Sequence, residues 1–147
     1  MCDGPVDILL VDDQASDAEL ALHALRGLES VRRVHVVRNG ADALDFLFAR
    51  GVFANRKDEP APRLILLDLK LPRVSGIEVL DVLKSDPQTR NIPVIALTSS
   101  CEACDVERCY DLGVNSYVVK PVDFSAFTET VQRIAQYWLT TNEAPVC

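Results

Sequence analysis

"LILLDLKLP", residues 64–72, sets an unbroken aliphatic run directly against an aspartate. Leu64 to Leu67 have the length and composition of a strand buried on both faces. Asp68 is the first ionisable side chain after them, and Pro72 and Gly76 punctuate the chain before a new helical pattern begins. Asp68 therefore belongs where a buried strand gives way to a loop. In open parallel α/β sheets, that carboxyl-end crevice is where ligands bind.

Outward from this stretch, short aliphatic runs alternate with amphipathic ones, with no internal repeat or low-complexity segment. "DILLV" (7–11) reads as the first strand. A helix follows from about Ser16, where Ser16 and Glu19 have capping-box spacing and Ala18, Ala21, Leu22, Leu25 and Leu28 keep a helical period. "VRRVHVV" (31–37) predicts a second strand, more exposed, and 40–50 a second helix. Residues 51–62, "GVFANRKDEPAP", read as a surface connection longer than usual. The strand at 63–67 comes next, then a third helix that ends before Pro87. "IPVIALT" (92–98) is the fourth strand, 102–112 the fourth helix closed by Gly113, and "SYVVK" (116–120) the fifth strand. A last helix starts at Asp123 and runs to about Leu139 or beyond. This alternation predicts a doubly wound α/β domain, its parallel sheet covered on both faces by right-handed crossovers. Residues 1–147 are read as one domain, with 123–147 as last helix and tail and no room there for an output domain.

Composition narrows the function classes. The chain is 48% apolar and 25% charged, ordinary usage for a globular protein rather than a disordered one. A net charge of -7 argues against nucleic acid as a direct partner, because phosphate binding needs a cationic surface. No stretch approaches the roughly 18 to 20 apolar residues of a membrane span, and the N-terminus has neither a basic start nor a long apolar run. A cytoplasmic protein without membrane contact is expected. Five cysteines, an odd number without a secretion signal, fit reduced thiols. Cys2 and Cys147 sit at the chain ends. Cys101, Cys104 and Cys109 read as thiols on one helix rather than as half of a zinc site, since neither histidine lies near them.

In a parallel sheet the strand ends meet along one edge. Asp12 and Asp13 after the first strand, Asp68 after the third, Thr98 after the fourth and Lys120 after the fifth then share a crevice. Each has an ordinary alternative as a helix flank or turn former, and it is their joint placement that points to chemistry. Three carboxylates in one place repel, and one would take up a proton unless a cation intervenes. Magnesium suits such a site, because it favours hard oxygen ligands from one or two carboxylates plus phosphate. With the charge offset, an aspartate can attack phosphorus, and a lysine and a hydroxyl are the groups needed where charge develops on the phosphoryl oxygens.

These residues resemble the receiver domain of two-component response regulators. The likeness rests on the pair at 12–13, "LLDLKLPRVSGIEVL" (66–80), "IPVIALTSS" (92–100) and "LGVNSYVVKPV" (112–122), and covers nearly the whole chain. It implies a flavodoxin-like sheet of order 2-1-3-4-5 with five helices. Asp68 would accept a phosphoryl group from a sensor histidine kinase, without the chain being an enzyme toward other substrates. Magnesium would be held by Asp12, Asp13, Asp68 and the backbone carbonyl of Lys70. Lys120 would pair with the phosphoryl group, Thr98 would hydrogen-bond it, and Pro121 would follow a cis peptide bond. Tyr117 matches the family's switch aromatic, which turns inward when the threonine is drawn to the phosphoryl group, although a lone tyrosine there also reads as a packed core residue.

More narrowly, the chain is similar to single-domain regulators paired with phytochrome-type histidine kinases, on residues 51–62, "KSDPQTRNIPVIALTSS" (84–100), "NSYVVKPVDF" (115–124) and "QYWL" (136–139). It departs from that subfamily at Lys70, where an uncharged polar side chain is frequent. A carbonyl ligand tolerates any side chain, but an ammonium at the entrance could compete with magnesium or deflect the hydrolytic water, so the phosphoryl lifetime stays open.

In the last helix, Phe124, Phe127, Val131, Ile134 and Trp138 recur at spacings of 3 and 4, a seam rather than a broad face. Tyr137, Trp138 and Leu139 extend past the cover the sheet needs, which predicts a homodimer contact through the helix end and tail. Three other readings compete. A phosphatase of the haloacid dehalogenase type would want a second acid where Lys70 stands, and a flavin carrier would want a phosphate-cradling loop where Asp12 and Asp13 stand. An unphosphorylated scaffold of the same fold is the third.

Overall fold

The computed structural model describes residues 5–145, so Cys2 and Cys147 lie outside it. Five strands, β1 (Ile8–Val11), β2 (Val34–Val37), β3 (Leu64–Leu67), β4 (Val94–Thr98) and β5 (Ser116–Val119), form one parallel sheet of order β2-β1-β3-β4-β5. Five helices, α1 (Ala15–Arg26), α2 (Gly40–Leu47), α3 (Gly76–Ser85), α4 (Ala103–Leu112) and α5 (Phe124–Gln136), flank it. The expected doubly wound architecture and strand order are both observed.

Strand β3 shows why the aliphatic run has to be continuous. Leu64 and Leu66 pack with α1 and α5, through Ala18, Ala21, Leu25, Phe127 and Val131, while Ile65 and Leu67 pack with Phe46, Val79, Leu80 and Leu83 of α2 and α3. All four are fully buried. At about 1.5–3 kcal/mol for each such side chain, neither face tolerates a polar residue.

Element boundaries depart from the sequence pattern where a side chain captures backbone. Helix α1 begins at Ala15, so Ser16 lies inside it and forms no capping box. The Asp12 carboxylate instead accepts the Gln14 N–H at 2.9 Å, turning the chain into the helix early. The capping box that does form is Ser75 with Glu78, at the start of α3. Strand β2 is shorter than 31–37, because the Arg32 and Arg33 amides donate to the buried Asp7 carboxylate at 2.7 and 3.2 Å. Helix α2 stops at Leu47, followed by left-handed Ala49 (φ 53°) and Gly51 (φ 56°).

The end of the chain corrects a second expectation. Helix α5 presents Phe127, Val131 and Ala135 to the core, and a π-helical turn over Tyr137–Thr141 buries Leu139. Trp138 packs partly buried against the same cluster, and Phe124, read as part of the seam, is exposed. Phe127, Val131 and Ala135 form a row spaced by four, the kind of ridge by which one helix packs on another, and Ile134 and Trp138 flank it. Arg63 donates to the Leu139 carbonyl at 2.6 Å and fixes the turn. Among the described residues, no helix is long and apolar enough to cross a membrane.

The connection after α2 does more than cross the surface. It forms a 3-10 helix, Gly51–Arg56, whose Phe53 meets Phe46 and His35 edge-on at centroid distances of 5.2 and 5.5 Å, while His35 stacks on Phe46 at 4.5 Å. Burial, reinforced by the charges of Arg56 and Arg33, lowers the His35 pKa below its ordinary 6.5. A lowered histidine pKa contributes stability that is fully present above the unfolded value and is lost as pH falls through 6.5 toward the folded value. The urea midpoint of the protein should therefore fall more between pH 7.5 and 5.5 than that of His35→Phe, which keeps a ring but cannot titrate. Equal falls would remove His35 from the acid response.

Candidate functional site

Register builds the site. Val11 pairs with Leu67, so the next residues, Asp12 and Asp68, leave the sheet side by side. Asp68 donates its amide to the Val11 carbonyl at 2.9 Å, the last rung of that ladder. Thr98 ends β4 opposite Val119, and the amide of Lys120 donates to the Thr98 carbonyl at 2.7 Å, which brings the lysine in from the other side.

The loop after β3 is held by close backbone approaches. A Cβ on Gly76 would sit 2.2 Å from the Asp68 carbonyl oxygen, and one on Gly40 would sit 1.9 Å from the Val74 carbonyl oxygen. Only glycine fits either place. The Lys70 N–H also turns back to Asp68 Oδ1 at 3.3 Å, so the loop curls round the carboxylate it carries.

Lys120 Nζ donates to Asp12 Oδ2 at 2.8 Å, to Asp17 Oδ2 at 2.9 Å and to Asp68 Oδ2 at 3.0 Å. An ammonium has three donors, and here all three end on carboxylates. Burial works against the Lys120 charge, but the hydrogen bonds to Asp12 and Asp17 and the charges of Asp12 and Asp68 outweigh it, so its pKa is raised. Burial raises the pKa of Asp12, with the Lys120 and Gln14 hydrogen bonds opposing it. The conflict among carboxylates that the sequence implied is thus met in part from within the chain.

Asp12, Asp13 and Asp68 each offer a carboxylate oxygen within 4.8 Å of the others, with Asp13 on the exposed side. Hard oxygen donors at this density fit a divalent cation such as Mg²⁺ or Mn²⁺. A second grouping, Glu102, Cys104 and Asp105, is formed of near neighbours in sequence at the start of α4. Cys101 and Cys104 are exposed thiols and Cys109 is buried, and no histidine joins them.

Thr98 is fully buried, and its Oγ1 accepts the Ser100 N–H at 3.3 Å. The Ser100 carbonyl accepts the Tyr117 hydroxyl at 2.8 Å, and the Ser100 hydroxyl donates to Asp105 at 2.6 Å. Burial pushes the Tyr117 phenol up, so it stays a donor at neutral pH.

Sequence reasoning missed two participants and misjudged one bond. Asp17 stands in the first turn of α1, and an acidic residue there, just after Asp12 and Asp13, was the available signal. Ser100 acts through its main chain, which no residue type announces. The bond before Pro121 is trans, since the described residues contain no cis peptide. Trans is the favoured X–Pro isomer by about 0.5–1 kcal/mol, and Lys120 reaches all three carboxylates with it.

The model of the response regulator receiver domain matches residues 8–132. The chain belongs to the response regulator receiver family. This receiver domain is 38% identical to the response regulator Rcp1 of Synechocystis sp. over 141 residues, 96% of this chain and 94% of that one. The Mn²⁺-bound structure of Rcp1 has a TM-score of 0.89, covering 97% of the receiver and 100% of Rcp1 at 37% identity. The phosphorylated cyanobacterial phytochrome response regulator RcpA gives 0.90 at 38% identity, with 97% and 100% covered. The bacteriophytochrome response regulator RtBRR is 49% identical, with a TM-score of 0.75 and 96% and 84% covered. Members of this family act as phosphoacceptors in signalling rather than as enzymes with turnover of a separate substrate.

Proposed function

We propose that the receiver takes a phosphoryl group from a sensor histidine kinase onto Asp68 and signals by the switch that follows. The observation that carries this reading is the meeting of Asp12, Asp17, Asp68 and Lys120 within 3.0 Å contacts at the carboxyl edge of the sheet. An Asp68 carboxylate oxygen forms the new O–P bond as the P–N bond to the kinase imidazole breaks, and the imidazole leaves with the electron pair. Mg²⁺ held by Asp12, Asp13, Asp68 and the Lys70 carbonyl would supply charge neutralisation at the phosphoryl oxygens. Lys120 follows the negative charge from the carboxylate to the phosphoryl group. Thr98 is the hydroxyl drawn toward that group, and Tyr117 is the ring that responds, released from the Ser100 carbonyl.

The partner is proposed to be a phytochrome-type kinase, on the likeness to RcpA and RtBRR, whose names carry that association. A homodimer through the last helix and tail rests on a narrower basis than the sequence implied. Leu139 and Trp138 are committed to the core, which leaves Tyr137 as the exposed aromatic of that turn.

Intact mass after incubation with acetyl phosphate tests the reaction. One phosphoryl group should be gained with Mg²⁺ and none without it, and Asp68→Asn should gain none in either case. No gain by the parent chain would favour the unphosphorylated scaffold reading. The same samples in sedimentation velocity at micromolar concentration test the dimer, and monomer in both states discards it. Faster transfer from a phytochrome-type kinase than from an unrelated histidine kinase is the result expected for the partner.

A further inference from the structure

We infer that Asp17 is a positioning residue that restrains Lys120 so that the metal can enter. The inference rests on the metal reading above and adds a residue to it. Lys120 Nζ lies on Asp12 Oδ2 and Asp68 Oδ2, two of the three carboxylates that face the cation. A cation arriving there meets an ammonium that is already bound to its ligands. Asp17 holds the same ammonium from α1 at 2.9 Å, and its carboxylate is not among those grouped around the metal position. The Lys120 side chain is 6% exposed and that of Asp17 28%, so the contact is only partly screened by water.

The charge count adds a field effect to that restraint. Asp12, Asp13, Asp17, Asp68 and Lys120 together carry -3, and a divalent cation brings the group to -1. Without Asp17 the sum with metal is zero, and Lys120 keeps only the carboxylates that the metal also needs. Both effects weaken metal binding. A field effect alone would act whether or not Lys120 is present, whereas a restraint acts only through it.

Calorimetric titration of Mn²⁺ into the metal-free protein separates these cases without any phosphorylation step. Asp17→Asn should weaken binding about three- to tenfold, and Asp17→Glu, which can still reach the ammonium, should recover most of it. In a Lys120→Met background, Asp17→Asn should change the binding constant by a clearly smaller factor. An unchanged constant in Asp17→Asn, or an equal factor in both backgrounds, overturns the restraint, whatever happens to the melting temperature. Absence of Mn²⁺ binding by the parent chain would instead bring down the metal reading, and the role of Asp17 with it.

Discussion

Lys120→Met should lower the stability of the metal-free receiver at pH 7 by about 3–5 kcal/mol, the usual consequence of leaving buried charge without its partner. Methionine keeps the apolar stem and removes only the ammonium. Asp12 and Asp68 are almost fully buried, and each now gives one oxygen to Lys120 and the other to a backbone amide. Burial already holds the Asp12 pKa above its ordinary value, and removing the Lys120 hydrogen bond and charge that oppose this raises it further. A raised carboxylate pKa means that the folded state binds more protons, so the stability of the variant should improve as pH falls from 7 toward 5. Divalent metal should restore part of the loss at neutral pH. Urea titrations at both pH values, with and without Mn²⁺, check all three effects. A midpoint equal to that of the parent at pH 7 would show that the ammonium is not what balances the acids.

Gly76→Ala should destabilise the fold by about 3 kcal/mol or more. At the start of an exposed helix, alanine in place of glycine ordinarily gains about 0.5–1 kcal/mol. Here the sign reverses, because the added carbon meets main-chain atoms rather than a side chain that could move: the Asp68 carbonyl at 2.2 Å and Leu69 Cα at 2.5 Å. Either α3 moves away from the loop or the loop carries Asp68 out of register with Asp12. The variant should thus lose stability and Mn²⁺ affinity together, and full affinity at parental stability would contradict the fit. Gly27 is a control within the same chain, since a Cβ there meets nothing closer than 3.5 Å.

Those two positions differ in how far they could be read in advance. Lys120 follows a strand whose apolar pattern is plain, so its arrival beside Asp68 is a matter of topology, and topology follows from alternating strands and helices. Gly76 was legible only as punctuation. Its reason is an approach between two backbones distant from any pattern in side chains. The aromatic cluster around His35 was hidden similarly, because Phe53 stands in a polar, turn-rich stretch and is recruited by Phe46 from another element. The start of α1 and the start of β2 were misplaced where Asp12 and Asp7 took amides that a local rule assigns to the helix or strand itself. At the end of α5, periodicity identified the face but not how far the core reaches: Phe127, Val131, Ile134 and Trp138 all pack there, and Leu139 is buried where free surface was expected.

Ser100 joins Thr98 to Tyr117 through its own N–H and C=O. Those two atoms are common to every residue except proline, which lacks the first. The relay is therefore silent to side-chain mutagenesis. A scan by alanine would register Thr98 and Tyr117 as separate hits, and at position 100 it would report only the loss of the hydroxyl bond to Asp105. The connection between Thr98 and Tyr117 is written in the main chain, where backbone amide exchange can read it and sequence comparison cannot.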